Sequence, residues 1–203
     1  MVAAPKSTRA TRTRTRILEA ARWLLEDRGY HAVGLESVAA AADVSRQSIY
    51  VHFGSKANLL LALVAYVDEQ EGLPDLARAV DQSPSALEAL DRFVDLVATL
   101  TPRVYRTAAV LDSARLDAPE AETAWVDRTT SRRRRCARIV SRLAGEGRLA
   151  PGWSREEAAD FLWAMTGLRV WEDLVVRRGW SSRRFRSHIR RALEQVLVAD
   201  GDV

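Results

Sequence analysis

The sequence predicts an all-α fold of about nine helices. Apolar residues recur at helical spacing through most of the chain, beginning with Ile17, Leu18, Ala21, Leu24 and Leu25 at i, i+1, i+4, i+7 and i+8. No stretch alternates apolar and polar residues as a half-buried strand does. Gly and Pro stand where the periodic segments stop, at Gly29, Gly72, Pro74, Pro119, Gly145 and Gly179. There is no internal repeat and no Gly-rich loop of the kind that cradles phosphate.

With 203 residues, 47% apolar and 29% charged, the chain is expected to be globular and soluble, with core enough for one large or two small domains. Its one cysteine, Cys136, has no internal disulfide partner, which suits a reducing compartment. No apolar run approaches the ~20 residues of a membrane helix. The basic N-terminus lacks the hydrophobic segment of a secretory signal. Cytoplasmic residence, away from any membrane, is the resulting expectation. Charge is unevenly placed. Residues 1–60 hold nine Lys or Arg and five Asp or Glu, a balance of +4, whereas residues 61–203 hold 22 of each. A polyanionic partner is therefore expected for the N-terminal part only.

Residues 1–10, MVAAPKSTRA, read as a flexible basic arm. Lys6 and Arg9, continued by Arg12, Arg14 and Arg16, suit a DNA backbone or minor groove, and equally a disordered solubilising terminus. The first helix is expected from about Thr11 to Arg28, closed by Gly29. Tyr30 follows, as a core aromatic or a contact residue.

From Leu35 to Leu60 the pattern is two short helices joined by a tight turn, then the start of a third. Val38 and Ala39 give the first its apolar face, and Asp43 and Val44 make the turn. Ser45 is an N-cap, because its hydroxyl accepts from the amides that open the next helix. Ile49 and Phe53, four apart, point to the core. Arg46, Gln47, Ser48, Tyr50 and His52 are left on faces that a partner can read. This is a helix-turn-helix, and its second helix has the length and polarity to lie in a major groove. Ser55 caps the following helix. Lys56 then lies in a first turn whose amides favour anions. That helix continues through Leu59, Leu60, Leu63, Val64 and Val67 to Gly72 and Pro74.

The run Tyr50-Val51-His52-Phe53-Gly54-Ser55-Lys56, with Leu59 and Leu60 behind it and Val38-Ala39 and Val44-Ser45 before it, resembles the TetR family of bacterial transcriptional regulators over roughly residues 11 to 64. The resemblance implies a double-stranded DNA operator as partner, with contacts from Ser45, Arg46, Gln47, Ser48, Tyr50 and His52 and a phosphate contact from Lys56. It also implies a homodimer joined by the last two helices, and a C-terminal domain that often encloses a ligand. Two residues depart from the family pattern. Gly34 stands where Thr or Ser usually opens the first short helix, which removes a hydroxyl that would cap the helix or touch a phosphate. Asp43 stands where the turn usually has Gly, and Asp tolerates a left-handed backbone. The domain reading is a basic arm at 1–10, a DNA-binding domain at 11–56 and a ligand-binding and dimerisation domain at 57–203, linked by the helix from residue 55.

The rest of the chain is read as successive helices. One spans Ser85 to Leu100, and Pro102 is expected to open another through Val104, Ala108, Leu111 and Leu116. A long helix from about Pro119 carries Trp125, Cys136, Ile139, Val140 and Leu143 on its inner side. After the loop at Pro151 and Gly152, Ser154 caps a helix with Glu156 and Glu157 in its first turn, running through Phe161, Leu162, Met165, Leu168 and Val175 to Gly179. Ser181 or Ser182 caps the last helix, with Phe185, Ile189, Leu193, Val196 and Leu197 on one face. Trp163, Val170 and Leu174 lie off the main stripe of the penultimate helix. A helix apolar on two sides must bury both, which favours a second copy of the chain as partner.

Phe93, Tyr105, Trp125, Trp163, Met165 and Trp171 are candidates to line a pocket for a small apolar or amphipathic effector; each is also a natural core filler. The run Arg132 to Arg135, with Arg138 and Arg142, reads chiefly as a solvated face paired with acidic neighbours. Enzyme chemistry is not expected. His31, His52, His188 and Cys136 offer no nucleophile–base set, and no HExxH or paired-Cys spacing exists. Neither a metal nor a cofactor is called for. The function read from the sequence is a sequence-specific DNA-binding regulator, a repressor released by a small molecule. The alternative is a ligand-independent regulator whose C-terminal domain only dimerises.

Overall fold

A computed structural model describes residues 7–199, with side chains from residue 9 onward. Lys6 of the basic arm lies outside the described residues. Among them are nine α-helices of seven residues or more, one further helical turn, a π-helical segment and no strand. The described residues form two compact units, 7–70 with 106–126 and 71–105 with 127–199. No single helix among them is long and apolar enough to cross a membrane.

The first unit begins with α1 (Ser7–Arg28), α2 (Leu35–Ala41), α3 (Arg46–Phe53) and α4 (Lys56–Gln70). Helix α1 starts four residues before the expected Thr11, so the last part of the basic arm is helical. Ile17, Leu18, Ala21, Leu24 and Leu25 are all buried, as their spacing requires. Gly29 ends the helix at φ +80°, its N–H donating to the Leu25 carbonyl at 2.9 Å. Helices α2 and α4 pack on α1. Leu59, Leu60, Leu63 and Val67 of α4 are buried there.

Three further helix boundaries differ from expectation. Pro74 does not merely close α4. It sits in the first turn of α5 (Leu73–Asp81), where its missing N–H costs nothing, and Gly72 before it is left-handed at φ +78°. Helix α6 (Ala86–Ala114) runs through Pro102 instead of restarting there. Pro102 deletes one donor, to the carbonyl of Ala98. The buried stripe Leu90, Val94, Val97, Val104, Ala108, Leu111 continues across it and holds the helix together. Leu116, expected on this helix, lies beyond its end and is exposed. Helix α7 (Pro119–Gly145) matches expectation, with Cys136, Ile139, Val140 and Leu143 buried.

The third difference is in α8 (Arg155–Met165), which stops fourteen residues short of Gly179. Its start is as expected. The Ser154 hydroxyl accepts from the Glu157 amide at 3.2 Å and the Glu157 carboxylate accepts from the Ser154 amide at 3.1 Å, a capping box. Its end is set from outside the helix. Arg132 of α7 donates to the Trp163 carbonyl at 2.6 Å and to the Thr166 hydroxyl at 3.1 Å. That hydroxyl donates on to the Leu162 carbonyl at 2.7 Å. Gly167 is extended, and a Cβ there would stand 3.0 Å from the Ala164 carbonyl oxygen. The chain resumes as the single turn α9 (Leu168–Trp171), then the π-helical segment Glu172–Arg177.

The same contacts account for Trp163. Its indole N–H donates to the Thr129 carbonyl at 3.2 Å and its ring lies 5.0 Å from the Arg132 guanidinium. Trp163 is half-buried against its own chain through these contacts. Helix α10 (Ser182–Leu197) is capped by Ser181 and buries Phe185, Ile189, Leu193 and Leu197. Within the arginine run, Arg133 pairs with Asp160, and Arg135 and Arg138 both pair with Asp81. Arg132 is the exception. Burial, with Arg128 nearby, pushes its guanidinium below the ordinary value, and it serves the end of α8.

Candidate nucleic-acid interface

The presentation of α3 is built from local chemistry. Helix α2 ends in a left-handed residue, Asp43 at φ +50°. The Asp43 amide reaches the Ala40 carbonyl at 3.2 Å and the Val44 amide the Ala39 carbonyl at 3.0 Å, a Schellman closure normally built on Gly. Asp43 is held there by Arg16 of α1. Arg16 donates to the carbonyls of Ala42 and Asp43 at 2.5 and 3.1 Å and pairs with the Asp43 carboxylate at 3.3 Å. Gly34 caps the start of α2 with no side-chain hydrogen bond. The Ser45 hydroxyl accepts from the Ser48 amide at 3.1 Å and opens α3.

Helix α3 is anchored by Ile49 and Phe53, both buried, with Arg14 4.6 Å above the Phe53 ring. Its opposite side is open. Arg46, Gln47 and Tyr50 are exposed, while Ser48 and His52 are half-buried. Arg46 is not a free side chain. It pairs with Glu36 of α2 at 2.6 Å and donates to the Tyr50 hydroxyl at 3.0 Å. The Tyr50 hydrogen bond first, and the Glu36 charge second, raise its pKa above the ordinary arginine value. Two residues not singled out from the sequence belong here. Val51 is 78% exposed, four residues after Gln47 on the outward face, where a branched apolar side chain suits a thymine methyl. Glu36 is the other. Only its contact with Arg46, across the turn, marks it.

The Ser55 hydroxyl accepts from the Asn58 amide at 3.0 Å, which opens α4 at a 68° bend from α3. Lys56 is in that first turn, but its Nζ is drawn inward, to the Tyr30 carbonyl at 2.5 Å and to within 4.1 Å of the Tyr30 ring centre. Desolvation holds the Lys56 pKa below the usual lysine value, and burial with Glu120 and Asp117 raises that of Tyr30.

The six residues considered for an effector differ in their surroundings. Phe93 is fully buried in the core and Met165 ends α8, half-buried. Trp163 is committed to α7 as described. Tyr105 and Trp171 meet, with ring centres 5.0 Å apart, and the Trp171 indole N–H is buried without an acceptor. Trp125 belongs to the other unit, 5.5 Å from the Arg115 guanidinium.

A family model described as "Bacterial regulatory proteins, tetR family" matches residues 17–63. Among curated proteins the chain is 29% identical over 107 residues to the HTH-type transcriptional regulator UidR of Escherichia coli, covering 51% of this chain and 50% of that protein. The chain thus spans about half the length of the curated relatives it matches. Likeness to solved structures is longer. NalD of Pseudomonas aeruginosa, the secondary repressor of the MexAB-OprM multidrug efflux pump, is 26% identical with a TM-score of 0.74 over 94% of this chain and 99% of that one. A protein from Saccharomonospora viridis solved in complex with choline, 23% identical, shares the fold at a TM-score of 0.78 over 94% of this chain and all of that one.

Proposed function

We propose, for a chain that belongs to the tetR family of bacterial regulatory proteins, that it is a sequence-specific DNA-binding transcriptional regulator of the cytoplasm, a repressor released from its operator by a small molecule. The observation that carries this reading is α3. It is a capped helix anchored by Ile49 and Phe53, with Arg46, Gln47, Tyr50 and Val51 turned to solvent. Arg46 suits guanine, Gln47 adenine and Val51 the thymine methyl. Ser45, Ser48, His52 and Lys56 are assigned to phosphates and neighbouring base edges. The excess positive charge of residues 1–60 supplies the sequence-independent attraction.

In this reading residues 11–56 bind DNA, and residues 57–203 bind the effector and dimerise. Two copies place two α3 helices on half-sites ~34–36 Å apart. An effector that favours a different spacing of those helices lowers operator affinity. A coupling of ~1–3 kcal/mol already gives a 5- to 150-fold change. NalD is a repressor and the Saccharomonospora protein holds choline, which supports ligand control of this chain by analogy.

The test is selection of bound duplexes from a random pool, repeated with a panel of small apolar and amphipathic compounds, together with light scattering. A recovered two-fold symmetric site, a dimeric mass and a compound that lowers affinity support the proposal. A stable monomer at micromolar concentration removes the dimer. Full affinity with every compound leaves the ligand-independent regulator in its place.

A further inference from the structure

Glu36 and Gly34 both lie in the stretch that opens α2, and the Glu36 carboxylate meets Arg46. Gly34 carries no side chain, and the Glu36 carboxylate lies beside it. A Cβ built on Gly34 would lie 3.0 Å from Oε2 of Glu36. The other oxygen of that carboxylate, Oε1, accepts from Nη1 of Arg46 at 2.6 Å. On its second terminal nitrogen, Nη2, Arg46 donates to the Tyr50 hydroxyl at 3.0 Å. A guanidinium has five N–H donors in a fixed plane. Two are spent here on two different helices, and the remaining ones are aimed by the two that are spent.

We infer that Glu36 is a specificity-determining positioning residue: its carboxylate, seated where Gly34 leaves room, biases Arg46 towards one orientation for reading a single base pair. This rests on the proposed role of α3 in DNA binding. Arginine is a long side chain, and an unrestrained one reaches phosphates as readily as guanine edges. Both side chains of the pair are more than half exposed, so the contacts with Glu36 and Tyr50 bias Arg46 away from those alternatives and do not lock it, and a carboxylate beside it repels the phosphates. Specificity is gained partly through contacts withheld from wrong sites. The cost is overall affinity, because one negative charge is brought towards a polyanion.

The experiment uses the full chain and a duplex recovered by the wild type from a random pool. Affinity is measured for that duplex and for all its single-base-pair variants, with wild type, Glu36→Gln, Gly34→Ser, Arg46→Ala and the Glu36→Gln/Arg46→Ala pair. Gly34 has φ −92°, so Ser is accommodated by the backbone and only the Glu36 carboxylate must move. Glu36→Gln is expected to bind all duplexes more tightly while its preference at the base pair read by Arg46 falls at least fivefold. Gly34→Ser is expected to lose the same preference with the charge retained, which separates aiming from net charge. In the Arg46→Ala background Glu36→Gln should change discrimination no further. An unchanged or sharper preference in both Glu36→Gln and Gly34→Ser, at wild-type thermal stability, overturns the inference and leaves DNA reading by α3 intact. An equal loss in the Arg46→Ala background overturns it in the same way. A wild type that enriches no sequence at all overturns the parent reading as well.

Discussion

The ammonium of Lys56 rests on Tyr30, with Nζ 2.5 Å from its carbonyl oxygen and 4.1 Å from its ring centre. A charge at the open end of α4 is thereby turned onto the protein itself. Tyr30 is in turn flanked by the corner between α6 and α7, where His31 meets Asp117 at 3.4 Å. If Lys56 leaves this seat for a phosphate on binding, Lys56→Ala weakens binding to every duplex alike. It should also lower the slope of log affinity against log salt by about one. Fluorescence anisotropy across a salt series reads both. An unchanged slope would mean that Lys56 stays on Tyr30 in the complex.

Arg132 closes α8 with charged hydrogen bonds to Trp163 and Thr166. Arg132→Met keeps much of the volume and leaves the Trp163 carbonyl without its charged donor. A loss of about 1.5–3 kcal/mol is expected in urea denaturation, the range for hydrogen bonds to charged groups. Lys at the same site cannot reproduce the planar fork and should recover only part of it.

Cys136 is buried between α7 and its neighbours, and desolvation pushes its thiol up to about 12. The thiolate is the reactive form. The native protein at pH 8 should resist a thiol-specific maleimide for hours, and label at once in denaturant. Fast labelling of the native state would show that the α7 core opens locally.

Asp81 pairs with Arg135 and Arg138, and this gives its carboxyl a pH-dependent part in stability. Burial alone would raise its carboxyl pKa, but hydrogen bonds and charge from Arg138 and Arg135 outweigh that and hold it below 3.8. The folded state therefore prefers the ionised form. The sign follows: its stabilising effect is present above the ordinary aspartate range and is lost as pH falls through the lower folded value. Asp81→Asn should lower stability at neutral pH and flatten the decline on the acid side of the ordinary aspartate range, as followed by urea midpoints at each pH.

What the sequence made legible is what neighbours in the chain decide. Ser45, Ser154 and Ser181 cap their helices through amides three residues on, and Ile49 with Phe53 settles which side of α3 is buried. The features it hid are decided by distant partners. Pro102 reads as a break, yet the packed stripe on either side carries α6 through it. The end of α8 depends on Arg132, thirty-one residues before Trp163. Glu36 is an ordinary surface glutamate until Gly34 leaves space for its carboxylate and Arg46 arrives from across the turn. Asp43 needed Arg16, from another helix, to take the place of a glycine.

The central claim is that α3 reads bases, and Gln47, exposed at the middle of its outward face, tests it most directly. Affinities of wild type and Gln47→Ala are compared across every single-base-pair variant of a selected operator. The expected result is a loss of about 1–3 kcal/mol confined to one base-pair position, with relaxed preference there. A loss spread equally over all sequences, or none, would contradict base reading by this helix.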